Sequence, residues 1–262
     1  MFSPRGGDFL SLELGLSIKM TVKKTLPDLE TVRNDERVRL MLEAADHQME
    51  QLGYTEHGIR HASVISKWAK QILFEFGYPE RTAEIASIAA YLHDIGNLVA
   101  RSYHGHSSAL LAYPVLLDLG FPYEEIYQIM GALGNHEDED GAPTTPIDAA
   151  VVIADKSDVH RSRVREWDPL TTDIHDRVNL AVTSSKLIPD PKNMTITLDV
   201  DIDTSISSVM DYLHIFLDRM DECYSAGRII NAQFQLVING VKLYKEDAPE
   251  NNKETEAVEN KH

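Results

Sequence analysis

Six successive segments between about Asn34 and Leu187 repeat apolar residues at the spacing of one helix face, with turn residues but no Gly/Ser linker between them. The first, "NDERVRLMLEAADHQMEQLG", opens on the cap residue Asn34 and closes on Gly53. In the second, "TEHGIRHASVISKWAKQILFEFG", Thr55 is the cap and Ile59, Ala62, Ile65, Ala69, Ile72, Leu73 and Phe76 share a stripe. "PERTAEIASIAAYLHDIG", "GHSSALLAYPVLLDLG", "PYEEIYQIMGALGNH" and "PIDAAVVIADKSDVHRSRVR" follow. Such a pattern buries its core between helices, so residues 34–190 read as one all-helical domain.

The periodicity then changes. In "MTITLDVDI", Ile196, Leu198, Val200 and Ile202 alternate with Thr and Asp, as in a half-buried strand. A helix is expected from about Ser205 to Ala226. In "FQLVINGVKLY", Asn239-Gly240 between two apolar runs predicts a hairpin. Residues 191–245 therefore read as a small α+β appendage, a three-stranded antiparallel sheet with one helix packed on it. The mainly α chain is flanked by a flexible extension, residues 1–33, and a charged tail, residues 246–262, that lacks aromatic residues and should be disordered. The opening "MFSPRGGDFLSLELGLSIKM" is interrupted by Asp8 and Glu13 and reads poorly as a signal peptide; Met20 is the expected working start.

A formal charge of −17 argues against a surface that grips long nucleic acid by its phosphates, while leaving room for a local basic pocket. The single cysteine, Cys223, precludes an internal disulfide and fits a reducing cytoplasm. No apolar run reaches the roughly 20 residues that span a bilayer, so no membrane partner is expected.

The chemistry lies where a greasy helix, "AEIASIAAYL", ends in His93–Asp94. Along the helical region come His57, His61, His93–Asp94, His104, His106, His136 and Asp155. Imidazoles and carboxylates meeting inside a bundle are costly to bury unless a cation sits between them. Both oxygens of one aspartate can each touch a cation, so Asp94 is expected to bridge two. The first cation is assigned His57, His93, Asp94 and Asp155, and the second Asp94, His106 and His136. His104 competes with His106, since two positions apart on a helix they cannot face the same way; the following "HSSALL" favours His106. Water bridging two cations loses a proton near neutral pH and becomes a nucleophile suited to phosphorus.

An early His in "YTEHGIRHA", the His-Asp pair in "YLHDIGN" and a later Asp in "VVIADKSD" resemble, in order and helical context, the HD-domain superfamily of metal-dependent phosphohydrolases. The resemblance covers roughly Tyr54 to Arg165. It implies an HD helical bundle that hydrolyses a phosphoester or phosphoanhydride of a nucleotide-like molecule. The histidines of "GHSSALLA" and "GNHEDEDG" are similar to those of the two-metal subset, which includes hydrolases of symmetrical dinucleoside polyphosphates and the HD-GYP cyclic-dinucleotide phosphodiesterases. "NHEDEDGAP" is similar to a worn HD-GYP signature, with Asn135 at its first histidine and only Ala142-Pro143 left of its end; the lysine that family carries after its His-Asp pair is Asn97. A cyclic-dinucleotide phosphodiesterase is thus one alternative. A degenerate HD pocket that binds a nucleotide without turnover is another.

Other residues have definite expected places. His61, one turn after His57, could be a proton donor, a ligand or a core histidine, and is placed with Asp94 and Lys156 in the catalytic set. Lys156, Arg161, Arg163 and Arg165 of "DKSDVHRSRVR" are candidates to receive substrate phosphate. His175–Asp176 reads as surface, and "HEDEDG" as a solvated loop apart from His136. Several imidazoles disfavour magnesium, so two iron or manganese ions are expected, with zinc, nickel or cobalt as substitutes. The expected partner is a small phosphorylated molecule, and the appendage offers a surface for a homodimer.

Overall fold

A computed structural model describes residues 26–137, 141–165 and 174–243. Short helix α1 (Leu29–Arg33) is closed at its start by a capping box between Asp28 and Thr31, and packs the buried Val32 inward. The final residues of the expected flexible extension therefore belong to the fold. The rest of that extension and the expected tail lie outside the described residues.

Helices α2 (Glu36–Gln51), α3 (Ile59–Glu75), α4 (Glu80–Leu92), α5 (His104–Asp118), α6 (Tyr123–Gly134) and α7 (Pro146–Ser157) form the bundle. Every residue of α7 from Ile147 to Ser157 is buried, which puts this helix at the centre. Its capping box, Thr145 with Asp148, and Pro146 at the first helical position fix where it begins. Between α4 and α5 the chain makes one 3₁₀ turn, Ile95–Leu98. A Cβ on Gly96 would run into the backbone oxygen of His104, so only glycine lets α5 approach this turn. The Ser108 hydroxyl accepts from the Gly96 N–H at 2.8 Å and donates to the His93 carbonyl at 2.5 Å, tying α5 to the end of α4.

The C-terminal part corrects the three-stranded antiparallel reading. After α8 (Ile174–Ala181) come β1 (Val182–Asp190), β2 (Thr195–Ile202), α9 (Val209–Ile229), β3 (Gln233–Ile238) and β4 (Val241–Leu243). They form a four-stranded mixed sheet in the order β1-β2-β3-β4. β1 pairs antiparallel with β2, β2 parallel with β3, and β3 antiparallel with β4. The parallel pair follows from α9, a 21-residue crossover that returns the chain to the same end of the sheet. The predicted hairpin forms at Asn239-Gly240, both at positive φ (50° and 76°).

The expected appendage packs directly on the bundle. Tyr212, Phe216, Met220 and Cys223 on one face of α9 are buried in the core that α7 occupies. Glu222 of α9 lies 3.6 Å from Lys156 of α7, so α9 also walls the ionisable cluster.

Candidate metal centre

His93 and Asp94 stand where α4 ends, His104 opens α5, His136 follows α6, and Asp155 sits in the last turn of α7. His61 lies in the first turn of α3. All six are buried, and His61, His93, Asp94, His104 and His136 are at most 2% exposed.

Each imidazole commits its Nδ1 to a protein acceptor. His93 donates to the Ala90 carbonyl at 2.9 Å, His104 to that of Arg101 at 3.0 Å, and His136 to that of Leu133 at 2.7 Å. His57 donates to the Thr55 carbonyl at 2.6 Å, and His61 to the Asp158 carboxylate at 2.7 Å. A carbonyl or carboxylate can only accept, so each ring carries a proton on Nδ1 and Nε2 is the nitrogen left for a metal. For the four rings of the cluster that nitrogen faces the carboxylates; without a metal, Asp94 and Asp155 push the pKa of His93 up to about 10 against burial. Orienting a ring through its far nitrogen is how proteins prepare histidine for a metal.

The converging atoms form two groups that share Asp94. His61 Nε2 lies 3.2 Å from Asp155 Oδ1 and 3.7 Å from Asp94 Oδ2. His93 Nε2 is 3.2 Å from Asp94 Oδ2 and 3.5 Å from Asp155 Oδ1. On the other side, His104 Nε2 is 3.0 Å from His136 Nε2, 3.3 Å from Asp94 Oδ1 and 3.5 Å from Glu137 Oε1. Ligand atoms about 2.0–2.2 Å from one ion stand roughly 3–3.5 Å apart, which these spacings approach. Despite their near neighbours, His61 Nε2 and Asp94 Oδ2 are buried without an aligned hydrogen bond. The Nε2 atoms of His104 and His136, 3.0 Å apart, repel unless a proton or cation lies between them, and Arg101 Nη1 stands 3.2 Å from His104 Nε2. The donor set therefore fits divalent cations.

The surrounding charges are organised for the same end. Burial opposes ionisation of Asp94, but His93 and His104 hold its carboxyl well below the usual range. Asp155 is likewise held low against burial, by Lys156, His61 and His93. Lys156 is 3% exposed, with Nζ 2.9 Å from Glu137 and 3.2 Å from Asp155; against burial, Asp155, Glu137 and Glu222 push its pKa up. Asn97 donates to Asp94 Oδ1 at 2.7 Å, fixing the shared carboxylate.

Residues 54–160 match the HD domain family. That segment is similar to an HD domain. An uncharacterized protein of Methanocaldococcus jannaschii is 32% identical over 136 residues, taking in 44% of this chain and 52% of that protein. The chain thus spans about half the length of this relative.

Within the matched segment, the structure brings together His93, Asp94, His136 and Asp155 of the six residues expected to hold metal. It places His61 where the sequence reading put His57. His57 lies beside the cluster, its ring 5.6 Å from that of His61, and belongs to no group of ligand atoms within 4.8 Å of one another among the described residues. His104 stands where His106 was expected; His106 is exposed, its ring 6.3 Å from that of Tyr103. The buried face of α5 runs through His104, Ser108, Ala112 and Val115, which leaves His106 on the outer side. Arg165 is spent on Asp46 at 2.5 Å and lies away from the cluster, and Arg161 flanks Asp203.

Three residues, Glu137, Asp158 and Arg219, were not anticipated. Glu137, read as part of a solvated loop, bonds Lys156 and faces His104. Asp158 receives both His61 and Arg60, the latter at 2.8 Å. Arg163 and Arg219 line a cleft of about 350 Å³ beside His57. Asp158 had a readable signal, the Asp-x-x-Asp spacing of "DKSD" at a helix end. Arg219 had none, because only the fold brings α9 to the matched segment.

Proposed function

We propose that this chain is a metal-dependent phosphohydrolase of the two-metal HD type, acting on a phosphoester or phosphoanhydride bond of a nucleotide-like molecule. The observation that carries this reading is the convergence of four Nε2 atoms, each ring fixed through its Nδ1, on the two oxygens of Asp94. His61, His93, Asp94 and Asp155 would hold one cation, and Asp94, His104 and His136, with Glu137 beside them, the second. Imidazole-rich sites of this kind suit iron or manganese better than magnesium. Bound there, the cations supply Lewis acidity toward phosphoryl oxygens and lower the pKa of water.

The protein's own groups do the rest. Asp158 keeps the proton of His61 on Nδ1, leaving Nε2 as a donor of electrons. Lys156 offsets the charges of Asp155 and Glu137, which would otherwise repel a phosphate. His57 is held neutral by burial and lines the cleft next to the cluster, with Nε2 as an acceptor.

The test is elemental analysis of freshly purified protein, followed by phosphate release from a nucleotide panel with manganese or iron supplied. Wild type should retain metal and release phosphate, and Asp94→Ala should lose both. An Asp94→Ala protein that hydrolyses as fast as wild type refutes the reading.

A further inference from the structure

The cleft beside His57 inverts the sign of the whole chain. In a protein of net charge −17, its walls carry three guanidiniums, Arg101, Arg163 and Arg219, against one carboxylate, Asp176. Two of these cations are poorly matched by acids. Arg163 is 3% exposed and bonds chiefly to the backbone oxygens of Glu56 and Asp158, with the Asp158 carboxylate only at 4.0 Å. Arg219, from α9, stacks over Phe216 at 5.2 Å and makes no salt bridge among the described residues. Arg101 reaches Glu137 at 3.3 Å and lies over the Tyr54 ring at 5.7 Å. Burial and the nearby Arg219 weaken the hold of Arg163 on its proton, although Asp158 acts the other way.

A second observation points to a ligand. Asn179 lines the same cleft, is 4% exposed, and spends its Nδ2 on the His175 carbonyl at 2.9 Å. Its Oδ1 is buried with no hydrogen-bond partner, which costs free energy unless a donor arrives. Three forked donors, an orphaned acceptor and the aromatic walls Tyr54 and Phe216 suit a molecule with an anion and a ring or sugar bearing N–H or O–H. The cleft reaches the catalytic cluster through His57, whose ring is 5.6 Å from His61, itself 5.2 Å from His93.

We infer that this cleft is a subsite for a phosphate other than the one cleaved, with Arg219 of α9 as its specificity-determining residue, so that the substrate is a nucleotide bearing at least two phosphates. The word "cleaved" rests on the proposed hydrolase activity; anion binding in the cleft does not. Residue 219 lies outside the matched HD segment, so the element added after that segment selects the substrate.

The experiment uses the full chain and has two arms. In the first, metal is stripped and inorganic tripolyphosphate binding is measured by calorimetry. Wild type should bind it more tightly than orthophosphate. Arg219→Ala and Arg219→Gln should both weaken tripolyphosphate binding about tenfold or more, the loss of one charged hydrogen-bonding group. Arg39→Ala, on α2, should match wild type. In the second arm, with metal restored, Arg219→Gln should raise KM for a nucleoside triphosphate by a similar factor while leaving hydrolysis of p-nitrophenyl phosphate unchanged. Equal tripolyphosphate affinity in wild type and both Arg219 variants, or no binding to wild type, overturns the inference. Equal losses on both substrates overturn it as well. If wild type hydrolyses neither compound, the hydrolase reading fails and the binding arm alone decides the subsite.

Discussion

Two histidines two positions apart show how a residue is selected for chemistry. His104 and His106 share a helix, yet only His104 faces Asp94, because it lies on the buried stripe that runs on through Ser108 and Ala112. His104→Ala should therefore lower metal content by about one ion per chain, whereas His106→Ala should retain the wild-type amount; plasma emission spectrometry on dialysed protein reads the difference. Asp158 acts one step further out, as a positioning residue. Replacing it with Asn keeps size and shape but removes the charge that holds His61 and Arg60. Metal affinity should fall about 10–100-fold, measured by competition with a fluorescent chelator, while far-ultraviolet circular dichroism stays the same. An unchanged affinity would mean that His61 is oriented by packing alone.

The elements carry the site by approaching one another more closely than side chains usually permit. Gly96 meets the start of α5, and a Cβ on Gly105 would lie 2.7 Å from the Leu133 carbonyl oxygen of α6. Gly96→Ala should push α5 away from Asp94 and cost about 3 kcal/mol, seen as an earlier urea midpoint together with lost metal. A variant with the wild-type midpoint and metal content would show that the turn can yield. This close packing also explains what could be read from the chain beforehand. The six bundle helices were legible because each carries its own apolar stripe, and β2 and the β3–β4 hairpin because of alternation and Asn239-Gly240. β1 was hidden, since "VTSSKLIPD" has an irregular burial pattern, a register shift near its start, and Pro189 on an edge strand. The strand order was illegible for a different reason: alternation fixes a strand's faces but not its neighbour, which here is set by the α9 crossover. The candidate ligands from α4 and α7 could be picked out by their order along the chain. Glu137 and Arg219 depend on which elements touch, and no local pattern records that.

At the scale of the whole molecule, gathering so many ionisable groups in one core ties folding to pH. In the metal-free protein His136 is kept neutral with a pKa of about 3, first by burial and then by the neighbouring His104 and His93. His57 is depressed in the same sense, by burial and Arg163. An unfolded histidine titrates near 6.5, so between that pH and the depressed native value the unfolded chain binds more protons than the folded one. The sign follows: the contribution of each ring is complete above about pH 6.5 and shrinks as the pH falls. The slope approaches about 1.4 kcal/mol per pH unit for each ring over that range. Urea unfolding in chelator should therefore show stability dropping between pH 6.5 and 4.5, with a shallower drop in His136→Asn, which has no ring to protonate. Adding manganese should displace the whole curve upward, and most strongly near neutral pH, because protons compete with the cation for the same Nε2 atoms. A metal-free profile that is flat from pH 6.5 to 4.5, or a His136→Asn variant that falls as steeply as wild type, would mean that these rings are protonated within the folded protein. The cluster would then balance its charges without a cation, and the argument for metal from facing Nε2 atoms would fail.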